Sequence, residues 1–153
     1  MIEVVRRRPV DEPPEQLWAL IEPVERLPEW FGFAERAEHL EGSGVGRRQR
    51  IHGRWGNKES EVDQRVTRYE PGRVLEWVHE AERLEGAPAP KFARSTTLTI
   101  RLEPVAGGTV VSLESRQEPA SIARGLVLRT MGRREVKRRL ESSLERLAEL
   151  ARR

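Results

Sequence analysis

The segment from Pro13 to Phe31 constrains this chain more than any other. Pro13-Pro14-Glu15-Gln16-Leu17-Trp18-Ala19-Leu20-Ile21-Glu22-Pro23 is a short amphipathic stretch bounded by prolines, and Leu27-Pro28-Glu29-Trp30-Phe31 closes a second. Proline is accepted in a helix's first turn, where its missing N–H has no intrahelical partner, and it stops a helix further in. Asp11 is the expected N-cap. Leu17, Leu20, Ile21 and Val24 recur at i, i+3, i+4 and i+7, so one stripe is buried. Pro23 then ends the helix, a second short helix carries Leu27, and Trp30-Phe31 plugs the joint.

A strand over Ile2 to Arg8 precedes this segment, and almost everything after it reads as β structure cut by turn chemistry. Glu35 to Leu40 is followed by Gly42-Ser43-Gly44-Val45-Gly46, a turn. Arg47 to Trp55 meets Gly56-Asn57, a dipeptide suited to a tight hairpin. That turn sets Arg54 opposite Glu59, His52 opposite Glu61 and Arg50 opposite Asp63 on one face. On the other, Ile51 meets Val62 and Gln49 meets Gln64. A second hairpin at Pro71-Gly72 brings Val66 to Trp77, Gln64 to His79 and Arg68 to Leu75. After a loop over Ala81 to Pro90, Lys91 to Glu103 turns at Ala106-Gly107-Gly108 into Thr109 to Glu118. About seven antiparallel strands result.

From Ser121 the period becomes helical: Val136, Leu140, Leu144, Leu147 and Ala151 form a stripe that packs on the sheet. Ile122 to Met131 is apolar on more than one side and carries Gly125, with Gly132 just after, which points to close packing, a kink or a gate. The element order implies an α+β fold in which a curved sheet wraps a long terminal helix and leaves a hollow between them.

Strand alternation decides what faces that hollow. Ile51, Val62, Val66, Trp77, Leu98, Val111 and Leu113 turn inward, and so do the polar Gln49, Gln64, His79, Arg94, Thr96 and Ser115. A solid core rarely accepts six polar groups, and an inward guanidinium needs a partner or water. Arg94 and His79 are therefore expected to orient a polar head while Trp77, Trp55 and Leu98 hold an apolar body. Trp30, Phe31, Leu128 and Met131 are expected at the mouth. His79 and Arg94 are also the candidate catalytic pair, since His79 is the one inward base.

Other chemistry finds little support. There is no cysteine, and no histidine pair has metal-ligand spacing, so neither metal nor cofactor is expected. Gly42-x-Gly44-x-Gly46 lacks the spacing and the following helix of a phosphate loop. No stretch approaches a membrane span, and Met1 to Val10 lacks the apolar run of a signal peptide, so a cytoplasmic protein is expected. All but three of the 28 basic residues are arginine, which fits either heat adaptation or genome composition. The stretch from Pro119 onward is strongly basic, and Arg133-Arg134 with Lys137-Arg138-Arg139 form its densest run. No base-stacking aromatics accompany it, so nucleic acid is not the expected partner, while weak contact with a membrane surface stays open.

The chain resembles the START-like helix-grip superfamily, in its bacterial polyketide cyclase/dehydrase-type branch. The resemblance rests on the Pro-Pro-Glu-Gln-Leu-Trp helix start and the Leu27-Pro28-Glu29-Trp30 joint. It extends to the hairpin Tyr69-Glu70-Pro71-Gly72-Arg73-Val74-Leu75-Glu76-Trp77 and the terminal helix through Leu140 and Leu147. Many members carry an aspartate where Glu22 stands here. The resemblance implies one domain over residues 1–153 and a cavity for a hydrophobic small molecule or lipid between sheet and terminal helix. Fold is not function. Three readings follow: a carrier or sensor of an apolar ligand, an aromatase/cyclase or dehydrase, and an interaction module whose basic helix meets RNA, ribosome or membrane. Oligomeric state is not legible.

Overall fold

A computed structural model describes residues 1–90 and 93–153. Strand β1 (Ile2–Val10) leads into α1 (Pro14–Ile21), a 3-10 turn (Val24–Arg26) and α2 (Leu27–Trp30). Six strands follow: β2 (Arg36–Glu41), β3 (Arg48–Trp55), β4 (Lys58–Glu70), β5 (Val74–Leu84), β6 (Ala87–Pro88) and β7 (Ala93–Val105). Then come β8 (Gly108–Pro119), α3 (Ile122–Val127), a π-helical turn (Leu128–Gly132) and α4 (Arg133–Ala151). The antiparallel sheet runs β1-β8-β7-β5-β4-β3-β2, with the two-residue β6 added on β5 inside the stretch expected to be loop. This is the helix-grip arrangement, a curved sheet closed on one side by α4.

Asp11 does not cap α1. Pro13 is the N-cap and makes no side-chain bond. Because Pro14 has no N–H to satisfy, a side-chain cap has less to offer there. β1 runs two residues past its expected end and includes Pro9, which an edge strand tolerates.

The hairpin register of β3 and β4 is the expected one at every named pair, from Gln49–Gln64 to Arg54–Glu59. β4 and β5 pair as expected at Gln64–His79 and Val66–Trp77. A bulge after Val66 then puts Tyr69, not Arg68, opposite Leu75. Two further irregularities matter for the inner face. One lies in β5 at Glu80, where Asp63 pairs with Ala81 while Gln64 pairs with His79. The other lies in β7 at Arg94, between Ala93 and Ser95. A bulge residue shifts every later side chain to the other face. Lys91, expected to open β7, lies outside the described residues.

Leu17, Ile21, Leu27, Trp30, Val66, Leu75, Trp77, Ile100, Leu113, Leu140 and Leu147 share one core cluster with almost no exposure. Gly125 in α3 and Gly132 at the end of the π turn serve close packing: a Cβ on Gly125 would sit 3.0 Å from Pro119, and one on Gly132 would sit 3.3 Å from Leu128. Among the described residues no helix is long and apolar enough to cross a membrane.

Candidate functional site

The inner face divides into two halves. In the half beside α1, its polar side chains are spent on one another. Arg47, 3% exposed, donates from Nη1 to the Glu22 carbonyl and carboxylate, both at 2.9 Å. Its Nε and Nη2 donate to Gln49 Oε1 at 3.2 and 2.9 Å, and Gln49 Nε2 donates to Gln64 Oε1 at 2.8 Å. Tyr69 closes the chain with a 3.4 Å hydroxyl bond to Glu22. Burial pushes the Arg47 guanidinium down, with Glu22 pulling against it. Burial, and then Glu22, push the Tyr69 phenol up. Both ends of the Gln49 amide are thus bonded within the protein, and Gln64 Oε1 is taken by it. Arg47 belongs to this network although only its parity with Gln49 and Ile51 marked it in the sequence.

Trp30 and Phe31, expected at the mouth, are instead buried at the centre. Trp30 Nε1 donates to Leu20 O at 3.1 Å, and Phe31 lies 5.4 Å from Trp30 and 5.6 Å from Trp77 between ring centroids. The reason is local: α2 is a single turn packed against α4, so its last residues point down rather than out. Ile51, Val66, Leu98, Val111 and Leu113 are buried around them, with Ser115 beside Leu98 in register.

The other half is less closed. Val62, His79 and Thr96 are half-buried. Glu82 joins them because the Glu80 irregularity brings it opposite Val62, and His79 Nδ1 lies 3.4 Å from Glu82 Oε1. Trp77 Nε1 is buried without an acceptor among the described residues. The start of the long helix packs on β8, leaving Ile122, Leu126, Val127 and Met131 largely exposed. Leu128 turns the other way and is buried with Ile2 and Ala93.

Arg94 does not face inward. As the extra residue of the β7 bulge it is exposed, while its neighbour Ala93 takes the inner position. Trp55 is 46% exposed at the rim. The Arg139 guanidinium lies 5.3 Å from both the Trp55 and Phe33 ring centroids and donates to the Arg54 carbonyl at 2.9 Å. This ties the β3–β4 hairpin to α4. The Phe33 carbonyl presses on Gly53, where any side chain would collide with it.

On the outer face of β3 to β5 opposite charges pair. Arg50 and Arg83 reach Asp63 at 2.7 and 2.9 Å, holding its carboxyl below the usual aspartate range. His52 lies 3.0 Å from Glu38. Arg54, although opposite Glu59 in register, pairs with Glu35 at 3.4 Å. On α4, Arg138 and Arg139 share Glu135, while Arg133, Arg134 and Lys137 are exposed. Among the described residues no three acidic or histidine side chains are placed to hold a metal.

A protein of Thermus thermophilus has a similar structure, with TM-score 0.77 and 20% identity over 98% of this chain and 97% of that one. So does the Zhui aromatase/cyclase from Streptomyces sp. R1128, with TM-score 0.76 and 16% identity over 99% and 94%. Ara h 8.0201 gives TM-score 0.74 and 14% identity over 98% and 97%. At these identities the likeness concerns the fold. No curated protein sequence matches the chain. The sequence profile described as polyketide cyclase / dehydrase and lipid transport matches residues 1–152. This chain therefore belongs to the polyketide cyclase/dehydrase and lipid transport family.

Proposed function

We propose that the protein holds an apolar small molecule or lipid at the half-open end of the inner face, under the start of the long helix. The observation that carries this reading is the change in exposure along one face of the same strands. Val66, Leu75 and Ile100 are fully buried, whereas Val62, His79 and Thr96 are not, and the apolar side chains of Val127 and Met131 at the start of the long helix are left in contact with water. Burying that surface against an apolar molecule is favourable by about 25 cal/mol per Å². Trp77 Nε1 and His79 Nε2 would supply the few polar contacts such a site uses to orient its occupant. Ile51, Leu98 and Ser115 form its floor in this reading, with Trp55 at the rim.

Extraction of the protein purified from its own cells, followed by mass spectrometry, tests the proposal. The expected result is a stoichiometric apolar compound that is lost in Thr96→Trp, which fills the site. An empty wild-type protein across lipid and aromatic classes would overturn it.

A second reading has its own observation. If Glu82 holds the proton on His79 Nδ1, then Nε2 is left as a base facing the same end, an orientation used for proton abstraction in carbonyl chemistry. The family description includes cyclase and dehydrase. Turnover of a poly-β-ketone surrogate that disappears in His79→Gln, with Tm unchanged, supports it. Equal turnover in the variant removes it.

A further inference from the structure

On the flank of α4 a recess of about 160 Å³ is lined by Gly32, Phe33, Glu35, Arg54, Arg138, Arg139, Ser142 and Arg146. We infer that this recess is a binding site for a doubly charged tetrahedral anion, a phosphate or phosphate monoester. The inference goes beyond the apolar-ligand reading and does not depend on it.

Charge balance carries the first step. Arg138, Ser142 and Arg146 are spaced four residues apart and share one helix face, and Arg139 and Arg54 close the recess from either side. Glu135 serves two of these arginines at once, at 2.6 Å from Arg138 and 2.7 Å from Arg139. Arg54 has Glu35 at 3.4 Å. Arg146 has no carboxylate within ion-pair distance among the described residues. Four guanidinium groups therefore face two carboxylates, leaving two positive charges in excess, the complement of a dianion. Gathering like charges on one face costs energy unless something answers it.

The walls are also fixed rather than loose. Arg139 is held by two aromatic rings, a carbonyl and a carboxylate at once. Gly32 brings the chain so close to α4 that an added Cβ would lie 3.0 Å from the Arg139 carbonyl. Its N–H donates to Ser143 Oγ at 2.7 Å, and that hydroxyl donates to Arg139 O at 2.6 Å. Guanidinium forks match phosphate oxygens pairwise, and the Ser142 hydroxyl adds a donor among them. Arg138 and Arg146 are exposed, so they can swing onto an anion without disturbing the core.

The test is titration of the whole protein with inorganic phosphate at constant ionic strength, followed by NMR. Saturable shifts at Gly32, Ser142 and Arg146, about tenfold weaker in the double variant Arg138→Gln/Arg146→Gln and unchanged in Arg133→Gln/Arg134→Gln, are expected. Absence of saturation, or wild-type binding in Arg138→Gln/Arg146→Gln with its Tm intact, overturns the inference. A second arm asks where the phosphate comes from. Binding to phosphatidylcholine vesicles only when they contain phosphatidic acid, lost in the same double variant, identifies a lipid headgroup. Phosphate binding without vesicle binding identifies a soluble phosphate ester.

Discussion

The two halves of the inner face are built from the same strands with the same alternation, yet they treat polar residues in opposite ways. Beside α1, Glu22, Arg47, Gln49, Gln64 and Tyr69 are hydrogen-bonded to one another, and the apolar residues around them are closed to water. In the other half, among the described residues, His79 has only Glu82 at 3.4 Å and Trp77 Nε1 has no acceptor, and Val62 and Thr96 stay half-exposed. A polar inner face is therefore no mark of a ligand site by itself. What marks one is polarity left over after the protein has paired its own groups.

The largest effect that could break this comparison is at Arg47. Arg47→Ala removes the ion-pair partner of Glu22, leaving its carboxylate only the longer Tyr69 hydroxyl bond, and strips Gln49 Oε1 of its donor, and such losses cost about 3–5 kcal/mol. Urea denaturation reads it, and a change under about 1 kcal/mol would mean that the network is not what closes this half. Leu140→Ala, in the fully buried stripe of α4, should cost about 2–5 kcal/mol by the same measurement.

Asp63 gives a smaller effect with a definite pH sign. Its carboxyl, hydrogen-bonded first by Arg50 and then by Arg83, titrates below its unfolded value. Its contribution is therefore complete above the ordinary aspartate range and is lost as pH falls through the lower folded value. Asp63→Asn should narrow the Tm difference between about pH 7 and about pH 3, and an unchanged difference would contradict the pairing. The smallest effect belongs to the open half: Met131→Gln should stay within about 0.5 kcal/mol of wild type, because that side chain is already 75% exposed.

Most of the frame was legible because strand parity and turn residues act locally. Gly56-Asn57 set the β3–β4 register correctly from Trp55 back to Gln49. The stripe from Val136 to Ala151 packs as its spacing requires. What escaped the sequence came from single-residue insertions and from long-range closure. Nothing local announces the bulge that expels Arg94, or the one that brings Glu82 beside His79. The burial of Trp30 and Phe31 depends on how α2 meets α4, a contact between segments over a hundred residues apart. Arg47 was missed although its parity with Gln49 and Ile51 was there to aim it inward; its pairing with Glu22 joins segments 25 residues apart.

The central claim is that only one half of the inner face receives an apolar molecule. Amide and methyl chemical-shift mapping during titration with N-phenylnaphthylamine tests it most directly. The account predicts saturable shifts at Val62, His79, Thr96 and Met131, with Leu75, Leu147 and Ala151 unmoved. Shifts spread evenly over both halves, or none at Val62 and Thr96 while the probe binds elsewhere, would contradict it.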